Sequence, residues 1–402
     1  MTVRQSVLLA TIIAMGPAPH PLDAQAPEPC DRAGLYAIGV PAGDDMLRGQ
    51  IDLGCRDGRH WGRFLVVLRD TFVTVLAEDG RAGDTLRFIS FGGAQGAELR
   101  FVGDSLTGAL MTGARSLPFG GLRRSSGAPA WLDAHAPLRP WPGLAAPPDS
   151  GQSYPVPLGP DSLVFTRHGN SLAWQRIMLA VRRGDTWEAR PLVPALDPRE
   201  SQRGPTVAPD GALWFAATRP DSVGAVAPRL ALWTAPRGGA AWETPARAGL
   251  AAAESGSGDQ QPSVTRDGWV YFTSHRPGGL GDRDVWRFRP TEGAGGAEAL
   301  PAPVNGAGDE HGVWVSPDHR MMIVSSSGQR AGRVGGDDLY LVVRTADGWG
   351  EPRVLPVPVN SFGNDYGAML DRDGRTLWFT SDRFGIAELF QVDLRAMGIA
   401  LP

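Results

Sequence analysis

The chain has 402 residues, a formal net charge of −4 and 20% charged residues, and it contains no lysine, so every basic side chain is an arginine. That balance leaves no basic surplus to attract a phosphate backbone, and no nucleic acid is expected as a partner. The 53 glycines and 35 prolines are spread between short β-rich runs, which marks many tight turns and not a disordered tail.

Residues 1–26 read as a cleaved secretory signal peptide. Arg4 precedes an apolar run from Ser6 to Met15 that is too short to span a bilayer, and Ala24-Gln25-Ala26 offers a small-x-small cleavage site. An uncleaved anchor is the alternative. No later segment reaches ~18 apolar residues, so no transmembrane segment is expected in the mature chain. The expected location is the periplasm or the medium. Cys30 and Cys55 are the two cysteines, and in an oxidising compartment they read as one disulfide. Neither lies in a C-x-x-C pattern, so neither a cofactor nor a metal site is expected.

Residues 27–124 read as a small antiparallel β domain, a barrel or a sandwich. Short runs such as Gly49–Leu53, Trp61–Leu68, Thr71–Leu76, Thr85–Phe91, Ala97–Val102 and Ser105–Leu110 alternate apolar with polar residues and are separated by turns such as Glu78-Asp-Gly80. In Ala97–Phe101, Gly103–Gly108, Leu117–Phe119 and Arg123 this stretch resembles the small β accessory domain that precedes some exported hydrolases. The resemblance implies a fold and no activity.

Residues 125–150, rich in alanine and proline, form a linker. Residues 151–402 carry an internal repeat. A turn and a hydrophobic strand recur as Asp161–Phe165, Asp210–Phe215, Asp267–Phe272, Asp318–Val324 and Asp373–Phe379. A second strand follows at Ile177-Met178, Leu232-Trp233, Val285-Trp286, Leu339-Tyr340 and Leu389-Phe390, and tryptophans recur at 187, 242 and 349. Four short strands per unit without helical periodicity is the pattern of propeller blades. The fold class is therefore all-β: a five-bladed β-propeller, with six blades as the alternative, behind the small barrel or sandwich. The last blade lacks a fourth strand. Leu138–Leu144 is the candidate to close it, with Trp141 in the place of Trp187, Trp242 and Trp349.

Asn305 with Asp309-Glu310, Asn360–Asp365, Asp267–Phe272 with Arg276, and Asp338–Tyr340 resemble the WD-like propeller repeats of the TolB type found in exported bacterial proteins. This resemblance implies a binding or assembly platform. The expectation is a non-catalytic scaffold for a protein, peptide or polar ligand of the cell envelope. The alternative is a carbohydrate-active or other hydrolytic enzyme with carboxylates in the propeller funnel. Gly169-Asn-Ser171 is the nearest approach to a nucleophile elbow and lacks its last glycine. Asp371-Arg-Asp373 and Asp282-Arg-Asp284 have calcium-loop spacing without the closing glutamate and read as turn residues. His275, His311 and His319 lack paired metal-ligand spacing and read as surface or hydrogen-bonded residues.

Antiparallel strands bring three positions of each blade to one rim. Asp259, Asp309, Glu310 and Asp365 precede first strands, Arg219, Arg276 and Arg383 follow second strands, and Asp284, Asp338 and Glu388 open third strands. Blades 1 and 4 depart, with Gly169 and Gly328 at the arginine position. This rim is the expected ligand or partner face. Pairing of the charges within and between blades is the structural alternative.

Overall fold

The computed structural model describes residues 30–401 apart from 43–44, 57, 68–70, 91–94, 113–114, 128–137, 148–149, 170–171, 194–199, 220–229, 240, 250–257, 291–295 and 329. The signal-peptide assignment and Ser171 lie outside the described residues. No α-helix occurs among those described, and none is long and apolar enough to cross a membrane.

The N-terminal unit is a closed up-and-down barrel of eight antiparallel strands: β1 (Gly34–Ala42), β2 (Asp45–Arg56), β3 (Arg59–Val67), β4 (Thr71–Ala82), β5 (Thr85–Ser90), β6 (Gln95–Val102), β7 (Ser105–Thr112) and β8 (Arg115–Ser126). Pairing of β1 with β8 closes it and removes both sheet edges. The period-2 alternation sends Tyr36, Ile51, Phe64, Phe88, Leu99 and Phe101 into one barrel core. Cys30 and Cys55 are joined, their Cα atoms 5.6 Å apart, which ties the chain before β1 to the end of β2. Closing this loop contributes roughly 3 kcal/mol.

Five blades follow. Blade 1 is β9 (Ser150–Gly159), β10 (Ser162–Gly169), β11 (Gln175–Arg183) and β12 (Thr186–Pro191). Blade 2 is β13 (Gln202–Val207), β14 (Leu213–Ala217), β15 (Ala231–Ala235), a hairpin of β16 (Arg237–Gly238) and β17 (Ala241–Trp242), and the outer β18 (Ala246–Arg247). Blade 3 is β19 (Gln260–Val264), β20 (Val270–Ser274), β21 (Asp284–Phe288) and β22 (Glu298–Ala299). Blade 4 is β23 (Glu310–Val315), β24 (Met321–Ser326), β25 (Asp338–Thr345), β26 (Gly348–Trp349) and β27 (Arg353–Val354). Blade 5 has β28 (Asp365–Leu370), β29 (Thr376–Ser381) and β30 (Glu388–Asp393). The middle strands of each blade read as continuous apolar runs because both of their faces pack on neighbouring blades: β14 and β20 are buried at every residue.

Blade 5 receives its outer backbone from before blade 1, in a register that differs from the expectation. The N–H groups of Leu192, Ala248, Leu300 and Leu355 donate to the carbonyls of Ile177, Leu232, Val285 and Leu339 in blades 1 to 4, and Trp141 N–H donates to Leu389 O at 2.7 Å in blade 5. Trp141 thus holds the position of Leu192, five residues beyond that of Trp187. Its ring meets Trp378 of blade 5 and Trp187 of blade 1 edge-on, at 5.4 and 4.8 Å, and so seals the first blade against the last.

The barrel docks on blade 5 through Trp61 of β3. Its ring stacks on Phe362 at 5.5 Å and meets Phe384 edge-on at 5.1 Å. Gly385, at φ +86°, allows this approach, since a Cβ there would fall 2.3 Å from the Ala77 backbone nitrogen.

Candidate functional site

The expected rim exists as a ring of ion pairs, one in each of blades 2 to 5. Arg276 grips Asp259 with Nε at 3.0 Å and Nη2 at 2.7 Å. Arg383 Nη2 donates to Asp365 Oδ1 at 2.7 Å, with both side chains fully buried. Arg219 pairs with Glu200 at 3.2 Å and Arg330 with Glu310 at 2.8 Å. Sequence reading missed Glu200, and it placed Gly328 where Arg330, two residues further on, supplies the cation. Each guanidinium also lies over an aromatic ring of its own blade: Trp233, Phe272, Tyr340 and Phe390.

These pairs also fasten one blade to the next. Arg383 donates to the carbonyls of Pro358 and Val359 at 2.7 Å each, and Arg330 donates to Pro303 O at 3.0 Å and to Val304 O. In the same loops Asn305 and Asn360 each bind the third strand of the preceding blade, through Val285 and Leu339. Asp284 and Asp338 turn back to accept from the glycine-rich loops, at Gly281 and at Val334 and Gly335. Burial pushes Asp338 up to about 6. Glu388 opens β30 opposite Ser381. The arginines of blades 2 to 5 and their acids are thus paired within and between blades, whereas Asp284 and Asp338 bind loop N–H groups. Asp309 differs: its Oδ1 lies 3.5 Å from Arg283 Nε, and burial raises its pKa.

Inside the ring, residues at matching inner-strand positions differ between blades. One column holds Ser153, Arg203, Gln260, His311 and Tyr366 in blades 1 to 5, and the next holds Tyr154, Gly204, Gln261, Gly312 and Gly367. Tyr154 and Gln261 sit at φ +56° and +53°, a left-handed conformation that costs a non-glycine residue of order 1 kcal/mol. Their side chains join across the channel, Gln261 Nε2 donating to Tyr154 Oη at 2.6 Å. Gly367, at φ +59°, leaves room for the Tyr154 ring, 2.6 Å from where its Cβ would stand. Tyr366 packs edge-on to Tyr154 at 5.5 Å and against His311 at 6.1 Å.

The loops add the charged side chains of Arg283 and Asp337 to this cluster. His311 Nε2 lies 3.2 Å from Asp337 Oδ2, and Arg283 Nε donates to His275 Nε2 at 3.2 Å. Burial disfavours the imidazolium of His311, but the Asp337 carboxylate outweighs it and raises the pKa above the usual imidazole value. In blade 1 a neutral set replaces the ion pair: Ser153 Oγ lies 2.9 Å from His168 Nε2 and 3.1 Å from Tyr366 Oη, and burial lowers His168 to about 4. Ser153 is fully buried, so it is not placed as a nucleophile.

The Tyr154–Gln261 bond divides the channel. Below it lies a void of about 40 Å³, and beyond that, at the opposite end, a cup of about 570 Å³ walled by Leu158, Val207, Val264, Trp314 and Met369 with Arg266 and Arg372 at its edge. No group of three or more metal-ligating side chains occurs among the described residues. Repeat detection finds residues that recur, and this cluster consists of residues that differ from blade to blade. Aligning the five inner-strand starts and asking which column varies would have exposed it.

No family model matches the chain, and no curated protein matches it. Solved structures are similar to it. One set, described as two prolyl endopeptidases, matches at 11% identity and a TM-score of 0.32, over 92% of this chain and 48% of that one. TolB from Acinetobacter baumannii matches at 15% and 0.32, over 81% of this chain and 66% of TolB. Hadza microbial sialidase Hz136 matches at 14% and 0.37, over 83% and 74%. The chain therefore spans about half the length of the endopeptidase and just under two thirds of TolB. At these identities the likeness concerns the fold alone. The class is an all-β protein with a closed barrel and a five-bladed propeller. One expectation is corrected here: the solved structures similar to the chain include a sialidase and prolyl endopeptidases as well as TolB, so the reading that the chain is not an enzyme does not stand.

Proposed function

We propose that the chain is an exported propeller protein of the cell envelope that binds a peptide or another polar ligand in the dish formed by Tyr154, Arg203, Gln261, Arg283, His311 and Asp337. The observation that carries this reading is the strained, cross-channel Tyr154–Gln261 pair at the point where the blade repeat breaks. Strain of this kind persists where surrounding structure enforces it, and it clusters at ligand sites. The disulfide supports an oxidising compartment. A thermal-shift screen of peptides and polar small molecules tests the reading. Ligands that raise the melting temperature of the wild type should lose that effect in His311→Leu and keep it in Arg372→Gln, at the far cup. The reverse pattern moves the site to the cup.

A second reading, hydrolysis in the same dish, is favoured by one observation: Asp309 and Asp337 flank His311, and this carboxylate pair departs from the blade repeat as catalytic acids would. Turnover in a glycoside and peptide substrate screen that disappears in Asp337→Asn would establish it. An unchanged rate in that variant would reject it.

A further inference from the structure

Arg203 stands apart from the arginines of the ion-pair ring. Arg219, Arg276, Arg330 and Arg383 each have a carboxylate within 3.2 Å. The Arg203 side chain forms no hydrogen bond or ion pair among the described residues, and its Nε is buried without a partner. Its electrostatic neighbours are the Tyr154 phenol and a second cation, Arg283. Arg203 as a whole is only half-buried, and a second cation beside an unpaired guanidinium disfavours its charge. A second observation points the same way. Gln261 Oε1 and His311 Nδ1, on residues only 6% and 8% exposed, are also buried without partners in this cluster. Gly312 leaves room for Gln261 Oε1, 2.8 Å from where its Cβ would stand.

We infer that Arg203 is the anchor of a carboxylate subsite, and that the ligand carries an N–H or O–H donor beside its carboxylate for Gln261 Oε1. This rests on the dish being the binding site, as proposed above. The planar fork of a guanidinium matches a carboxylate in two parallel bonds. Asp309 lies against Arg283 and Asp337 against His311, which leaves Arg203 as the cation of this cluster without a carboxylate of its own. Two sources share this chemistry. In a peptide C-terminus the last amide N–H is the neighbouring donor, and in a sugar acid a hydroxyl is.

Calorimetric titration of the full chain tests the subsite with four probes: acetyl-dialanine, its C-terminal amide, glucuronate and glucose. At least one of the two acids should bind ~10-fold or more tightly than its neutral counterpart, and which one does so identifies the source. Arg203→Met should abolish that preference while leaving the melting temperature unchanged or higher, because it removes a half-buried charge that has no carboxylate partner. Equal binding of an acid and its neutral counterpart in the dish would overturn the carboxylate subsite and leave the binding site standing. So would retention of the preference in Arg203→Met, or a loss of melting temperature in that variant as large as in Arg383→Met. Absence of binding by both acids would overturn it as well, and the broader ligand screen would then judge the dish separately.

Discussion

At the scale of single residues, the same residue type does opposite things a few ångströms apart. Arg383 is fully buried, yet its guanidinium reaches Asp365, two loop carbonyls and Ser381 Oγ. Removing one partner of such a pair strands the other, so Arg383→Met should cost about 3–5 kcal/mol in urea unfolding, and adding Asp365→Leu should recover part of that. A double variant no more stable than the single one would show that the loop carbonyls, and not the carboxylate, set the cost. Asp382 beside it offers a pH test. Burial raises its pKa to about 7, against the opposing hydrogen bonds from Asn364. A folded-state pKa above the unfolded value of about 4 means that the folded chain keeps a proton the unfolded chain has released, so this group's contribution to stability is complete below about pH 4 and is lost as pH rises towards 7. Asp382→Asn, which cannot ionise, should make the decline in urea midpoint between pH 4 and 7 shallower. An unchanged slope would assign the pH dependence to other groups.

At the scale of elements, what recurs was legible in the sequence and what does not recur was hidden. The Asp-Gly turns, the apolar strands ending in Phe215, Phe272 and Phe379, and the alternation in β5 and β6 announced blades and barrel because burial imposes those periods directly on composition. Register is subtler. Trp141 was equated with Trp187 because both are tryptophans near an outer strand, but the backbone places it with Leu192, and only the Trp141 N–H to Leu389 O bond distinguishes the two. Arg330 escaped because its loop is two residues longer than the loop carrying Arg276, which moved a guanidinium of the same role off the aligned column. Closure itself is testable. Deleting residues 138–144 leaves the β30 edge of blade 5 unpaired and uncovers Trp378 and Trp187, so the propeller should melt at a clearly lower temperature, by more than Trp141→Ala alone, which is worth up to about 3 kcal/mol. An unchanged melting curve for the deletion would mean that the first and last blades hold each other without this segment.

At the scale of the whole molecule, the barrel and the propeller meet, among the described residues, at Trp61 and Ala77, and these contacts sit beside the ion-pair ring. Phe362 and Phe384, which receive Trp61, lie in the two loops that also carry Asn364 and Arg383, so the docking contact and the ion-pair ring share a backbone. Gly385 then presses on Ala77, so two barrel strands, β3 and β4, rest on blade 5. A junction centred on Trp61 couples two units that each have their own core, the barrel cluster around Phe64 and Phe88 and the blade clusters around the propeller axis. Such units unfold together only while the contact between them outweighs their difference in stability. Trp61→Ala removes the stacked and edge-on rings together, about 3–5 kcal/mol of contact. Calorimetry of the variant should therefore resolve two transitions where the wild type shows one. The barrel transition should be the one that reduction of the Cys30–Cys55 bond lowers, because that bond lies within the barrel unit alone. If the variant still melts in a single transition, or if reduction lowers both transitions equally, the two units are coupled through contacts other than Trp61, and the barrel is part of the propeller's folding unit.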